Sequence, residues 1–482
     1  MRSQRRMFSS ACRNRPPTNC FEKGSDLNSV HRPYPCLPPG WAATTIGEIA
    51  ETCLGIKSDY GNVHDRCTIP SIGRDNVRWG RVEIDDVATI EIPLGKRELF
   101  RLKPNDLLIC KTGDIGRCGI WPNSAGYIAH RDDLHRVRPY NGIDVRYLRY
   151  FMEHMSLSGE LEIYATGGRV RYLTQKQLRS LRLQLPPYPE QRRIAAALED
   201  HVAHLDAGAA AMARVSERVE LLAKRILLEA VPMPTPSHWD SVTVAEAGQV
   251  DVGRARHPSR HNGPDMRPYL RVANVYEDHI DTSDLMEMNF PPLDFERYRL
   301  EDKDILLNEG QSPEYLGRPA MYRGIPAEVA FTNSLLRFRA KPGVLPEWAL
   351  LVFRRHLHAG RFRCEARGTT TLTHLTATRL NRVDFPRPPL AEQELIVADV
   401  KKKLDAIQRL APTIVAAKKR AAELRGSLLA EAFAGRLVSQ ELADEPISVV
   451  LERIRAERAL RQRVGRTRRG RVSQTFQKEA LF

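Results

Sequence analysis

The sequence predicts an α+β protein built from two copies of one mixed domain, each copy leading into a long helix, with the two helices pairing as an antiparallel coiled coil. Three observations predict it. The stretch Leu185-Pro-Pro-Tyr-Pro-Glu-Gln returns as Arg387-Pro-Pro-Leu-Ala-Glu-Gln. The segments ahead of the two stretches match one another along their length. Behind each stretch, apolar residues recur at intervals of three, four and seven, the spacing of a helical seam.

The repeated stretch reads as a helix start. Its prolines stop whatever precedes and fit the first turn, where no amide donor is needed, and Glu190 and Glu392 suit the positive end of the helix dipole. The internal match is continuous. At an offset of 198, Trp41 answers Trp239, Glu48 answers Glu246, Asn76 answers Asn274 and Asp106 answers Asp304. Ile72-Gly-Arg-Asp-Asn-Val77 aligns with Leu270-Arg-Val-Ala-Asn-Val275, and Asp106-Leu-Leu-Ile109 with Asp304-Ile-Leu-Leu307. After small insertions, Gly116-Arg117 pairs with Gly317-Arg318 and Leu173-Thr174 with Leu375-Thr376.

Each globular copy, 37–186 and 236–388, consists of short β-branched runs separated by Gly, Pro and Asn turns, with few helices. In the first copy the strands are expected at Thr44–Ile49, Thr68–Ile72, Val87–Ile92, Asp106–Cys110 and Gly126–Ala129, and helices at Val145–His154 and Gln175–Leu181. The first spacer, 187–235, carries a seam through Ile194, Leu198, Val202, Leu205, Met212, Val215, Val219, Leu222 and Ile226. The second, 389–437, carries Ile396, Val400, Leu404, Ile407, Ala411, Ile414, Ala421, Leu424 and Leu428, with Pro412 expected to kink or divide it. An amphipathic seam needs a partner, and each helix supplies one for the other. The alternative is that each covers its own domain.

Residues 1–36 are basic, lack an apolar core and have no counterpart in the second half. A targeting peptide is one reading; a disordered or mis-started extension is favoured. At the other end, 438–482 holds a short amphipathic helix, Glu445–Arg458, and an arginine-rich tail.

The chain has 74 Lys and Arg against 59 Asp and Glu, a formal net charge of +15 that points to a polyanion, nucleic acid first. No run of about 18 uncharged apolar residues exists, which argues against a membrane span. The eight cysteines form no Cys-x-x-Cys pair, so zinc-ribbon and redox spacings are absent and free thiols in a reducing cytoplasm are expected. His201 and His204 sit one turn apart beside Asp200, but on a helix rich in polar positions they read as a solvated face rather than metal ligands.

Two basic domains on a helical spacer make a ruler that selects a bipartite DNA site with unread pairs between its halves. Divergence of the copies implies half-sites of different sequence. At this point the Pro-Pro-x-x-Glu-Gln helix starts, the Leu37-Pro-Pro-Gly-Trp41 opening, the two-fold repeat and the segment Glu445-Pro-Ile-Ser with Leu451-Glu-Arg-Ile-Arg-Ala-Glu-Arg458 together resemble the specificity subunit of type I restriction–modification systems, over residues 37 to about 460. The resemblance implies two pseudo-twofold-related α/β target recognition domains. It implies double-stranded DNA, two methyltransferase subunits that modify adenine at N6, and ATP-driven restriction subunits as partners, all cytoplasmic. It also implies no catalytic centre, metal or cofactor on this chain, S-adenosylmethionine, ATP and magnesium being needed by the whole complex. The extension 1–36 and Pro412 depart from the family pattern.

Two other function classes were weighed against this one. A chain with its own methyltransferase would need an acceptor before Pro-Pro-Tyr; Leu185 lacks one, and Arg387-Pro-Pro-Leu390 lacks the aromatic ring as well. A nuclease would need clustered carboxylates with a lysine; Asp106 with Lys111 is a partial match, and the second copy places Glu309 at the lysine's register. A scaffold without nucleic acid conflicts with the basic balance.

The candidate DNA contacts of the first domain lie in two glycine-flanked turns: Lys111, Thr112 and Arg117, then Arg169, Arg171 and Tyr172. Arginine reads guanine with two parallel bonds, while lysine and threonine more often sit on phosphate. In the second domain the corresponding candidates are Arg318, Arg367, Thr369 and Thr370, with Asn333 and Ser334 as readers. Asn76 and Asn274 recur in both copies and are therefore expected to shape a turn rather than to read bases. Arg169→Ala is expected to relax or abolish one half-site of the methylated motif and leave the other intact; equal loss at both would contradict one domain reading one half.

Overall fold

The fold is taken from a computed structural model, which describes residues 37–56, 65–122, 126–168, 170–365, 367–368 and 373–461. The extension 1–36, the residues Arg169, Thr369 and Thr370, and the tail beyond 461 lie outside the described residues. The chain divides into two compact units, one made of 1–198 with 428–482 and the other of 199–427.

In the first unit, strand Ala42–Thr45 pairs antiparallel with Arg182–Leu185, so the domain's opening and closing segments lie side by side. Between them, an antiparallel sheet runs in the order Ala50–Leu54, Leu134–Pro139, Leu107–Cys110, Cys118–Ile120. A second sheet places Arg66–Ile72 between Ala88–Pro93 and the parallel strand Ala129–His130. Leu107, Leu108, Ile109 and Cys110 are all buried, as a strand covered on both faces must be.

Helix Val145–Leu157 buries Tyr147, Leu148, Phe151, Met152 and Met155; Asp144 caps it by accepting from the Arg146 amide at 2.8 Å. The predicted run Thr44–Ile49 is not one strand: it stops at Thr45 and turns into the one-turn helix Ile46–Ile49. Its apolar residues Ile46 and Ile49 both face the core, which alternation along a strand cannot achieve. Of the expected strand Gly126–Ala129, only Ala129 joins a ladder, with His130.

The unit is closed by the end of the chain. Phe433 packs against Tyr147 (5.2 Å between ring centroids) and stacks on His154 (5.0 Å). The amphipathic segment 447–461 is helical and buries Ile447, Val450, Leu451 and Ile454. Its Arg458 donates to the carbonyls of Gly47 (3.0 Å) and Glu48 (2.9 Å), which belong to the one-turn helix Ile46–Ile49.

The second unit repeats the plan. Asp240–Thr243 pairs with Asp384–Arg387, one sheet runs Gly248–Val252, Leu335–Ala340, Ile305–Asn308, Pro319–Met321, and the other places Met266–Leu270 between Met286–Asn289 and Ala330–Phe331. A ribbon of Gly310–Gln311, Thr373–His374 and Arg367–Gly368 is added; in the first unit it shrinks to the single bridges of Tyr172 with Thr112 and Thr166. The core centres on Trp348, Phe338, Phe353 and Phe385, joined by Leu227 and Val231 from one long helix and Val400 and Leu404 from the other.

Tyr188–Ala230 is one helix of 43 residues, about 65 Å long at 1.5 Å per residue. The second spacer is two helices, Leu390–Gln408 and Leu410–Phe433. They part at Arg409, where the Pro412 ring has no room for the carbonyl four residues earlier and supplies no amide to bond it. Within the second unit the spacers run antiparallel: Lys418 Nζ reaches Ser216 Oγ at 3.4 Å and Arg425 pairs with Asp206 at 2.6 Å. These two contacts are polar, while Ile414 of the predicted seam is buried and Met212 and Val219 are half-buried. Val215, Leu222 and Leu424 are exposed, against the expectation of a continuous apolar seam.

Two contacts explain the repeated Glu-Gln. Trp41 Nε1 donates to Glu190 (3.1 Å), and Trp239 Nε1 to Glu392 (2.9 Å). Gln191, fully buried, accepts from the Asp144 amide (2.8 Å) and donates to the carbonyls of Pro186 (2.9 Å) and Gly142 (3.4 Å). Gln393 makes the same three bonds with Leu345, Pro388 and Gly343. Each glutamine thus ties the start of its long helix to the start of a domain helix, and leaves none of the polar groups it meets unsatisfied.

Candidate nucleic-acid interface

In the first domain the backbone gathers three chain segments at one end of the central strand. Past Cys110, the Lys111 amide donates to Asp133 O (2.9 Å) and the Lys111 carbonyl accepts from the Leu173 amide (2.9 Å). Thr112 bridges to Tyr172, which in turn exchanges both backbone bonds with Thr166 (2.8 and 3.0 Å). Lys111, Thr112 and Tyr172 are therefore held together, and the Tyr172 ring is 38% exposed, enough to stack on a base. Lys111 Nζ leans toward the Asp132 carbonyl at 3.5 Å.

The other candidates are differently placed. Arg117 turns back onto its own turn, pairing with Asp114 and donating to Arg74 O at 3.2 Å. Arg171 is exposed and pairs with Glu162. The turn needs its glycines: Gly113 and Gly116 have φ of 77° and 83°, and a Cβ at Gly116 would lie 2.2 Å from Leu161 Cδ2.

The second domain repeats the junction with other residues. The Glu309 amide donates to Ser334 O (3.0 Å) and its carbonyl accepts from the Leu375 amide (2.7 Å), the bonds that Lys111 makes in the first copy. Asn333 is exposed, and its amide donates to Arg254 O at 3.1 Å. Ser334 Oγ accepts from the Val272 amide (3.1 Å) and meets Thr332 Oγ1 (3.2 Å), so its hydroxyl is engaged in the fold. Arg318 donates to Val275 O (2.7 Å) between the rings of Tyr276 and Tyr315, and burial pulls its guanidinium below the ordinary arginine value. Arg367 enters through its backbone, pairing with His374.

Several residues that sequence reasoning passed over belong to these junctions. Asp133 Oδ2 accepts from the Arg74 amide (3.0 Å), and Arg131 lies so close to Gly73 that a Cβ there would overlap its guanidinium. The basic segment from Arg254 adjoins Asn333. A run of arginines and histidines without an acid was the available signal. As expected of a turn residue, Asn76 Oδ1 accepts from the Gly73 amide (3.0 Å) and Asn274 Oδ1 from the Arg271 amide (3.1 Å).

Leu185 is a buried strand residue and Tyr188 opens the long helix, so their motif is a strand-to-helix junction. Asp106 is fully buried in a two-bond ion pair with Arg138 (2.6 and 2.7 Å), not free to hold a metal. Among the described residues no group of three or more His, Cys, Asp or Glu is placed to hold a metal ion, and no helix is long and apolar enough to cross a membrane.

The chain is thus a duplicated α/β domain with one backbone frame and two differently furnished junctions. The family described as Type I restriction modification DNA specificity domain matches residues 38–210. The EcoKI specificity subunit of Escherichia coli K12 is 20% identical over 453 residues, covering 88% of this chain and 96% of its own. The StySPI specificity subunit of Salmonella potsdam is 22% identical, with the same coverage of both chains. Among solved structures, a chain from a type I restriction–modification assembly superposes with a TM-score of 0.67 at 18% identity, over 83% of this chain and 99% of that one. The HsdS subunit of Thermoanaerobacter tengcongensis gives 0.50 at 19% identity, over 84% and 99%. The chain is similar to the specificity subunits of type I restriction–modification systems, by the family model over 38–210 and by relatives along most of its length.

Proposed function

We propose that this chain is the sequence-specific DNA-binding subunit of a type I restriction–modification complex. Each recognition domain reads one half of a bipartite, asymmetric site in double-stranded DNA. The chain directs partner subunits: two methyltransferase subunits that modify adenine at N6, and restriction subunits that cleave with ATP. It performs no chemistry itself; S-adenosylmethionine, ATP and magnesium serve the partners, and the complex works in the cytoplasm. The recognition domains are 37–186 and 236–388, with 187–235 and 389–437 as helical spacers and 438–482 as closing helix and basic tail. The DNA contacts proposed are Lys111, Thr112, Arg117, Arg169, Arg171 and Tyr172 for the first domain and Arg318, Asn333, Ser334, Arg367, Thr369 and Thr370 for the second.

One observation carries the reading. The bonds that build the two junctions are the same, while the side chains they present differ: Lys111 against Glu309, Asp132 against Asn333, Thr112 against Gly310. A frame kept constant and a face allowed to vary is what reading two unlike half-sites requires.

The test is single-molecule methylome sequencing of the host with and without the gene. Loss of a split, asymmetric adenine-methylated motif on deletion is the expected result, and it reveals both half-sites together. An unchanged methylome in a host whose partner methyltransferase is active would overturn the reading.

A further inference from the structure

The second domain carries a charged segment that the junction candidates do not include. Gly253–Pro264 contains Arg254, Arg256 and Arg260, His257 and His261, and no acidic residue. Both ends are tied down. At the start, the Arg254 amide donates to Phe331 O (3.1 Å), its carbonyl accepts from the Asn333 amide (3.1 Å), and its guanidinium is spent inward on Asp294 and the Asn289 carbonyl. At the far end the Asp265 amide donates to Asn289 Oδ1 (2.8 Å), and a Cβ on Gly263 would lie 2.3 Å from Asn289 Cγ.

Between these anchors the segment stands out from the domain. Arg256, His257, Pro258 and Ser259 are exposed. His257 Nδ1 meets the Ser259 hydroxyl (2.7 Å) and folds Pro258–Arg260 into a single turn, while Arg260 donates to Ala255 O. The Arg256 guanidinium lies 5.9 Å from the centre of the Tyr269 ring. Among the described residues neither Arg256 nor Arg260 has a carboxylate partner, whereas Arg254, Arg267 and Arg271 around them each have one. The contacts of Arg256 and Arg260 within the fold are one carbonyl and one ring, neither of which neutralises a charge, so that charge is available to a polyanion.

The first domain starts a segment from the same place, Ile56 pairing parallel with Arg131 as Arg254 pairs with Thr332. Its sequence there, 57–64, holds one lysine, one aspartate and one histidine. The cationic segment is thus a property of the second domain alone.

We propose that residues 254–261 form a phosphate-gripping arm of the second domain, in which Arg256 and Arg260 contact the DNA backbone beside the face that carries Asn333. The proposal rests on the DNA-recognition reading and adds a division of labour. Phosphate contacts set register and salt dependence; base contacts set sequence. The arm fixes where the second domain sits without choosing its bases.

The experiment uses the complex assembled with its methyltransferase subunits and a duplex carrying the motif found by methylome sequencing. Fluorescence anisotropy over a salt series gives the slope of log affinity against log salt for wild type, R256A, R256A/R260A and R256K/R260K. Each lost phosphate contact lowers the slope by about 0.9, so the single and double alanine variants are expected to fall by about 0.9 and about 1.8. The double lysine variant is expected to restore the slope, and the methylated motif to stay the same in all four. An unchanged slope in the alanine variants, or an altered second half-site, overturns the arm. A wild-type complex with no preference for the motif duplex sinks the DNA-recognition reading itself, which that control separates from failure of the arm.

Discussion

Replacing Arg138 by methionine is expected to destabilise the first domain by about 3 kcal/mol. Asp106 is fully buried, and its carboxylate takes two bonds from Arg138 (2.6 and 2.7 Å) and one from the Lys103 amide (2.7 Å). Removing one partner of a buried pair costs about 3–5 kcal/mol, because the remaining charge loses its neighbour without regaining water. The Arg138 side chain is 25% exposed, so water reaches one side of the pair and the lower end of that range applies. Arg339 and Asp304 form the same pair in the second domain, at 2.7 and 2.8 Å, which makes it the internal control.

Hydrogen exchange is the appropriate measurement for Arg138→Met, since two units do not share one unfolding transition. Amides of Leu107–Cys110 and of residues 134–138 are expected to lose protection while those of Ile305–Asn308 keep theirs. A loss below about 1 kcal/mol would show that the pair contributes no more than a surface one. Removing both partners, as D106L/R138M, is expected to restore much of the stability, because no charge is then left unpaired.

Acid is expected to weaken both domains well before their carboxylates titrate. Burial pushes His130 down to about 3 and His356 to about 4. Each ring is held neutral among backbone carbonyls, His130 near Phe100 O and Cys53 O (both 3.4 Å) and His356 on Asp384 O (2.9 Å). The unfolded chain titrates near 6.5, so between that value and the folded one it binds protons that the folded chain refuses. Stability is therefore full above about pH 6.5 and falls below it, by about 1.4 kcal/mol per pH unit for each such histidine. Lowering the pH from 6.5 to 5 should cost each domain about 2 kcal/mol from its deepest histidine. In the first domain His135, also lowered by burial, adds to the loss. His130→Gln is expected to reduce the slope in the first domain alone; an identical slope in that variant would remove His130 from the account.

The duplication was legible because it is written in residues that no local rule explains. Trp41 and Trp239 recur at one offset, and each donates to a glutamate about 150 residues further on. In the sequence the helix dipole alone accounts for that glutamate; its tryptophan partner is apparent only in the fold. The same holds for Gln191 and Gln393, whose bonds reach back almost 50 residues. Pro412 could be read directly, because its effect is steric and confined to one turn. Val215, Leu222 and Leu424 could not, since periodicity identifies one face of a helix and says nothing of what lies opposite it; here that includes Lys418.

At the candidate interface, glycine-flanked turns marked the segments that the backbone joins, Lys111, Thr112 and Tyr172 among them. They did not reveal which arginines remain free. Arg117 finds Asp114 and the Arg74 carbonyl, and Arg318 finds a carbonyl between two tyrosine rings, partners far apart in sequence. The arm 254–261 was missed for the opposite reason. It carries no tight phosphate-binding turn, only a local excess of charge.

The junction residue of the first domain is Lys111 and that of the second is Glu309, in the same backbone slot with the same two bonds. A cation and an anion at matching stations give the subunit a polarity. Under the proposed function, a half-site suited to a cation at this station would not suit an anion there, so the two half-sites would not be interchangeable. That asymmetry would make the subunit an arrow as well as an address.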